Sequence, residues 1–317
     1  MNKEKLLIIG GCGYIGSFLA ESLNYDIKIV DLNLFNFKTS HNNIICDYNL
    51  LDTNFLKKFD HIILLAGHSS VRMCDGNSSG VFNNNVTNFI NLLEKICPSQ
   101  TFIYASSASV YGNSQKNIVN ENEELSFPYN MYDFTKQSID SYITINKKSL
   151  RIFGLRFGTV NGYSPHLRND VMLNSMAYNA IIKNEVVLYN SETRRSILGL
   201  NDLKNCIEKI LKNNKKVGGI YNLSSFTKTA GEMATTVGKK LNVNITTVVP
   251  SEQNLKNMNE KLISSKYNFG LDCSKFSKDF DYVFTDTIDT IVDGLSINWN
   301  NMYISNRNSA YNYESKV

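Results

Sequence analysis

At 317 residues the chain is long enough for one large α/β domain or two lobes, and its 42% hydrophobic content is that of an ordinary globular protein. A formal net charge of +4, with no run of Lys and Arg longer than two, gives nucleic-acid binding no electrostatic support. The six cysteines, at 12, 46, 74, 97, 206 and 273, form no CxxC pair or Cys/His cluster, so reduced thiols are expected and neither a metal site nor a disulfide framework.

The opening MNKEKLLIIGG has too short an apolar run for a signal peptide, and no stretch approaches a membrane span; a soluble, cytoplasmic chain without a membrane partner is expected. LLIIG (6 to 10) reads as a parallel strand buried on both faces. A helix follows in IGSFLAESL, then a strand in IKIVD (27 to 31). The alternation continues with IICD (44 to 47), HIILLAG (61 to 67), a helix over 83 to 96, the strand TFIYASS (101 to 107), a helix over about 129 to 146, and LRIFGLRFG (150 to 158). Strands alternating with helices of this length predict an α/β fold with a doubly wound parallel sheet, which binds ligands at the carboxyl ends of its strands.

After Gly162 the rhythm breaks, with a helix around NSMAYNAIIK and a strand in VVLYN, before NDLKNCIEKILK and GGIYNLSS return to the sheet. The expected organisation is a dinucleotide-binding domain over 1–160, rejoined by 200–225, and a smaller discontinuous lobe over 161–199 and 226–300. A polar, poorly ordered tail over 301–317 completes it.

GGCGYIG places Gly10, Gly13 and Gly16 between the first strand and first helix, where a backbone free of side chains can approach a pyrophosphate at a helix N-terminus. Asp31 ends the second strand fifteen residues after Gly16, where a carboxylate can take both ribose hydroxyls. That carboxylate would repel a 2′-phosphate, and Leu32, Asn33 and Leu34 offer no cation, so NAD is favoured over NADP.

In MYDFTK, Tyr132 precedes Lys136 by one helical turn. Seventeen tyrosines make such a spacing unremarkable alone, and in isolation the pair reads as a half-buried aromatic and a solvated charge. Its company decides: ASSASVYG follows the strand TFIY and brings serines to the carboxyl edge of the same sheet. A phenol with a pKa of about 10 is a poor base at neutral pH. A neighbouring ammonium and a cationic nicotinamide both favour its phenolate, while a serine hydroxyl holds the substrate oxygen.

Together GGCGYIGS, LLAGHSSV, NNNV, SSASVYG, YDFTK and LRFGTVNG, in this order, resemble the extended short-chain dehydrogenases/reductases of the NAD-dependent epimerase/dehydratase family, which contains UDP-galactose 4-epimerase. The resemblance runs from about Leu6 to Asn300 and implies a Rossmann-type fold with a nucleotide-sugar lobe. It implies Ser107 as the substrate-polarising serine, Tyr132 as acid/base, and Lys136 as the residue that holds the nicotinamide ribose and tunes Tyr132. At NAD it implies Gly10, Gly13, Tyr14, Ile15, Gly16 and Asp31, with Asp47 at adenine, Leu65, Ala66 and Gly67 lining the cofactor, and Asn85 supporting it. For a nucleoside diphosphate-sugar it implies Thr159, Arg168, Asn174 and Arg195, with Asn174 meeting the diphosphate through its side chain or the adjoining helix start and Arg195 binding the same phosphates, and a homodimer through the helices near 83 to 96 and 130 to 146.

Departures from the family pattern narrow the reaction. Dehydratases carry an Asp-Glu pair after the serine, where this chain has Ala108 and Ser109. Asn161 and Tyr163 replace a Tyr and a Pro; SKYNFGLD lacks the usual arginine, leaving Lys266, and Ser69 stands where the epimerases have a lysine beside the nicotinamide. The expectation is an NAD-dependent epimerase of a nucleoside diphosphate-sugar. The alternatives are a net ketoreductase or dehydrogenase on the same site and, more remotely, a 4,6-dehydratase or a non-catalytic NAD-binding protein.

Overall fold

An unbroken apolar run makes a strand when both faces of its sheet are covered, and the first strand shows this directly. In the computed structural model, which describes residues 3–146, 151–213, 218–248 and 267–305, β1 (Lys5–Ile9) sends Leu6 and Ile8 into one core and Leu7 and Ile9 into another. It belongs to a seven-stranded parallel sheet with β2 (Asp26–Asp31), β3 (Asn42–Ile45), β4 (His61–Leu64), β5 (Thr101–Ser107), β6 (Arg151–Phe157) and β7 (Gly219–Leu223), in the order β7-β6-β5-β4-β1-β2-β3. The doubly wound α/β fold is therefore observed. The order reverses between β1 and β4, and the crevice at their carboxyl ends is where such folds take ligands.

The helix Tyr14–Ser22 packs near Leu200–Lys212 against one face. The other face is covered by Met131–Ile145 and by a continuous helical stretch over 78–93. That stretch starts five residues before the predicted 83 and contains one π turn, Asn83–Thr87. Strand IICD shifts two residues, to Asn42–Ile45, because its register is set by pairing with β2.

Beyond the sheet, Met172–Lys183, Ala230–Leu241 and Ile288–Ile297 pack together, with a two-stranded ribbon of Glu185–Leu188 and Asn244–Thr247. Arg194–Gly199 pairs with Thr159–Asn161 on one side and Phe226–Thr229 on the other. The expectation of a poorly ordered tail fails at its start. Tyr303–Ile304 forms a short parallel strand with His166–Leu167, because each segment completes the other's backbone hydrogen bonds. The rest of that tail, from 306, and Lys266 lie outside the described residues.

Candidate active site

The glycine turn separates two constraints. A Cβ on Gly10 would meet the Ala66 backbone, and Gly10 has φ +91°; one on Gly16 would collide with the Gly10 carbonyl. Both are therefore required by the protein's own packing. Gly13 has an ordinary φ of −78°, and a Cβ there would meet only the Gly10 oxygen, at 3.3 Å. The open space at the N-terminus of the Tyr14–Ser22 helix fits a pyrophosphate, whose charge that end of a helix favours.

Asp31 closes β2 beside this turn. Its Oδ2 accepts the Cys12 N–H at 2.9 Å and its Oδ1 the Asn33 N–H at 2.7 Å. Burial raises its pKa and those two N–H bonds oppose the rise. A half-buried carboxylate so oriented fits ribose hydroxyls. Asp47 uses Oδ1 to cap the turn Tyr48–Leu50 through Asn49 N–H.

Leu65, Ala66 and Gly67 follow β4 at the switch point, and Gly67 has φ +134°. Asn85 staples this loop: its Oδ1 accepts the His68 N–H at 2.9 Å, and its Nδ2 donates to the His68 carbonyl and Thr135 Oγ1, each at 3.1 Å. The π turn carries Asn85, and Thr135 lies between Tyr132 and Lys136, so one amide joins the cofactor-side loop to the helix bearing both.

Ser107 ends β5 and caps the short turn after it. Its hydroxyl donates to Ser109 Oγ at 2.9 Å and accepts the Ser109 N–H at 3.1 Å. Tyr132 and Lys136 reach the same strand end from the Met131–Ile145 helix. The Lys136 Nζ donates to the Ala105 carbonyl at 2.8 Å and lies 5.8 Å from the Tyr132 ring centre. Burial lowers the Lys136 pKa to about 8, with Asp140 and Cys74 opposing. For Tyr132 the direction differs from the expected lowering: burial raises the phenol, hydrogen bonding to Ser107 and the Arg168 charge pull it down, and Asp133 and Cys74 add to the rise. The protein alone thus keeps Tyr132 as a phenol, and activation awaits a further positive charge.

On the substrate side, Arg168 pairs with Asp170 through Nε at 2.7 Å while its charge reaches Tyr132. Arg195 is half-buried on the Arg194–Gly199 strand, its Nη1 on the Arg194 carbonyl at 2.7 Å. Burial lowers its pKa and Tyr267 opposes. Thr159 is half-buried at the start of the neighbouring strand. The Asn174 side chain is fully buried and used internally, accepting the Gly162 N–H and donating to Tyr14 Oη and the Arg168 carbonyl. Of the two routes expected for this position, the side chain and the adjoining helix start, the side chain is already engaged. Tyr14 likewise spends its hydroxyl on the Gly162 carbonyl at 2.9 Å, and Ile15 packs against the core, which leaves their backbone for a ligand.

Three supporting groups were missed in the sequence. Asp140, one turn after Lys136, accepts from Tyr104 Oη, Ser106 Oγ and Arg156 Nε at 2.8–2.9 Å, all buried. Asp133, beside Tyr132, accepts from Tyr267 Oη at 2.6 Å and Asn130 Nδ2 at 2.9 Å. The buried His166 reaches the glycine turn. Only Arg156 left a sequence signal, as a charge inside an apolar strand.

Among the described residues no helix is long and apolar enough to cross a membrane. The sequence model of the NAD dependent epimerase/dehydratase family matches residues 6–224. UDP-glucuronate 4-epimerase 1 of Arabidopsis thaliana is 28% identical over 244 residues, 67% of this chain and 56% of the relative's length. The solved ADP-L-glycero-D-manno-heptose-6-epimerase of Helicobacter pylori superposes with a TM-score of 0.77 at 24% identity, covering 93% of this chain and 96% of that one. UDP-glucuronic acid 4-epimerase of Bacillus cereus, solved with UDP-glucuronic acid and NAD, gives 0.74 at 20% identity, covering 92% and 97%.

Proposed function

Because the chain belongs to the NAD dependent epimerase/dehydratase family, we propose that it is an NAD-dependent epimerase of a nucleoside diphosphate-sugar, with Tyr132 as its acid/base. The observation that carries this reading is the meeting of Ser107, Tyr132 and Lys136 at the carboxyl end of β5. Bound NAD supplies the reversible hydride acceptor. Ser107 holds the sugar hydroxyl, Tyr132 takes its proton as the carbinol hydrogen leaves as hydride, and Lys136 holds the nicotinamide ribose and stabilises the phenolate. A hydride returned to the other face of the keto-sugar would invert one carbon with no net redox change, and Tyr132 would give back the proton it took.

Arg195 and the Met172–Lys183 helix start are the diphosphate contacts in this reading. Arg168, whose charge reaches Tyr132, is held by Asp170, and the Bacillus cereus neighbour of like fold was solved with UDP-glucuronic acid. UDP-glucuronic acid is accordingly the first substrate to offer. A second reading, a net ketoreductase or dehydrogenase, is favoured by the exposed Ser69, which leaves the loop beside the cofactor without a lysine to retain it. Stoichiometric consumption of NAD or NADH supports that second reading. Catalytic NAD with an isomeric product supports the first, and a Tyr132→Phe variant that keeps full activity would contradict both.

A further inference from the structure

The turn residue between Gly11 and Gly13 is pinned from two sides. Its N–H is held by Asp31, as described, and the Cys12 carbonyl accepts a hydrogen bond from His166 Nδ1 at 2.7 Å. Because a carbonyl can only accept, the ring carries its proton on Nδ1 and presents Nε2 to Ser305 Oγ at 2.9 Å. His166 is fully buried.

The same ring organises the loop that follows Asp31. Phe37 stacks on it with centroids 5.1 Å apart and planes 12° from parallel, while Phe35 and Tyr303 meet it edge-on at 5.4 and 5.3 Å. Tyr303 Oη donates to the Phe35 carbonyl at 3.0 Å. Asn33 closes the loop by exchanging two side-chain bonds with the Phe37 backbone. Asn33 and Asn36 both lie in the left-handed region, which asparagine adopts more readily than other non-glycine residues.

We propose that His166, braced by Ser305 and the Tyr303–Ile304 strand, is a positioning residue that sets the glycine turn and the Asp31 loop together for the adenosine diphosphate half of the dinucleotide. This rests on the dinucleotide reading of the site and extends it to residues from the far end of the chain. With His166 lost, the Cys12–Gly13 peptide keeps only the Gly13 N–H bond to the Gly10 carbonyl, at 3.2 Å; between two glycines it is less tightly fixed, and binding must supply the order that the free protein no longer holds.

The test is titration calorimetry of NAD and ADP-ribose against wild type, His166→Leu, His166→Asn, Ser305→Ala and Tyr303→Phe, with a thermal melt of each. His166→Leu is expected to weaken both ligands about tenfold, the worth of one buried hydrogen bond. His166→Asn, whose amide nitrogen can stand in for Nδ1, recovers most of that loss. Ser305→Ala removes a buried bond and Tyr303→Phe an exposed one; each weakens binding about threefold, and they carry the test if His166→Leu does not fold. Affinities within twofold of wild type in the folded variants overturn the proposal. So does an Asn variant no better than Leu, with losses that follow only the melting temperature. Wild type that binds neither ligand overturns the dinucleotide reading itself, a result distinct from unaffected variants.

Discussion

Gly13 and Gly16 stand three residues apart in the same turn, yet their substitution should fail in different ways. Gly16→Ala drives a methyl into the Gly10 carbonyl and should cost about 1–3 kcal/mol of stability, read by urea denaturation. Gly13→Ala meets only light internal contact, so the protein should melt near the wild-type temperature while losing NAD affinity in calorimetry. Equal loss of stability in both would contradict the assignment of Gly13 to a ligand. At the chemistry end, Tyr132→Phe should reduce turnover by roughly 10²–10⁴-fold with little change in NAD affinity. Lys136 supplies the pH dependence. Its folded pKa of about 8 lies below the ordinary 10.5, so its charge is present below about pH 8 and lost above it. Activity should therefore fall as pH rises through about 8. Between those two values the unfolded chain binds the extra proton, so stability should rise with pH in wild type relative to Lys136→Met. The residues of the turn and of MYDFTK were legible because their chemistry needs fixed types at fixed spacings. The raised Tyr132 pKa was not, since burial is a property of the folded surroundings.

The Met131–Ile145 helix works as an element because its inner face is anchored below the chemistry. Asp140 ties it to β5 and β6, and Arg156 continues the network through Tyr111 Oη at 2.8 Å to Asn222 on β7 at 2.7 Å. Asp140→Ala leaves the Arg156 guanidinium buried and unpaired and should cost about 3–5 kcal/mol in urea denaturation. It should also lower the Lys136 pKa further, since Asp140 opposes the effect of burial there. A variant of near-wild-type stability would show that the pair is not the anchor. In the sequence Asp140 looks like any polar helix position, because its partners arrive from strands far along the chain. The long strands were legible from continuous apolar runs; Tyr303–Ile304 and His166–Leu167 were not, since two residues carry no period. The π turn escaped for a related reason: its extra residue shifts the helical phase within the polar run Asn83, Asn84, Asn85.

At the scale of the molecule, the helices over 78–93 and 131–145 lie side by side and leave Phe82 and Phe134 exposed, stacked with centroids 5.8 Å apart. An apolar pair presented on two adjacent helices suits a second copy of the same surface, and we expect a homodimer. Light scattering after gel filtration should give twice the 35.9 kDa chain mass, and a Phe82→Glu, Phe134→Glu double variant should give one. A monomeric wild type would remove the dimer. The central claim concerns the reaction, and the product decides it. UDP-glucuronic acid, followed by other UDP-, dTDP-, CDP- and GDP-sugars, should be incubated with the protein and NAD and the product analysed by chromatography and mass spectrometry. The account predicts an isomer of unchanged mass at a new chromatographic position, formed without net consumption of NAD and absent with Tyr132→Phe. A product differing by two hydrogens with matching cofactor turnover, or one that has lost water despite Ala108 and Ser109, would contradict it.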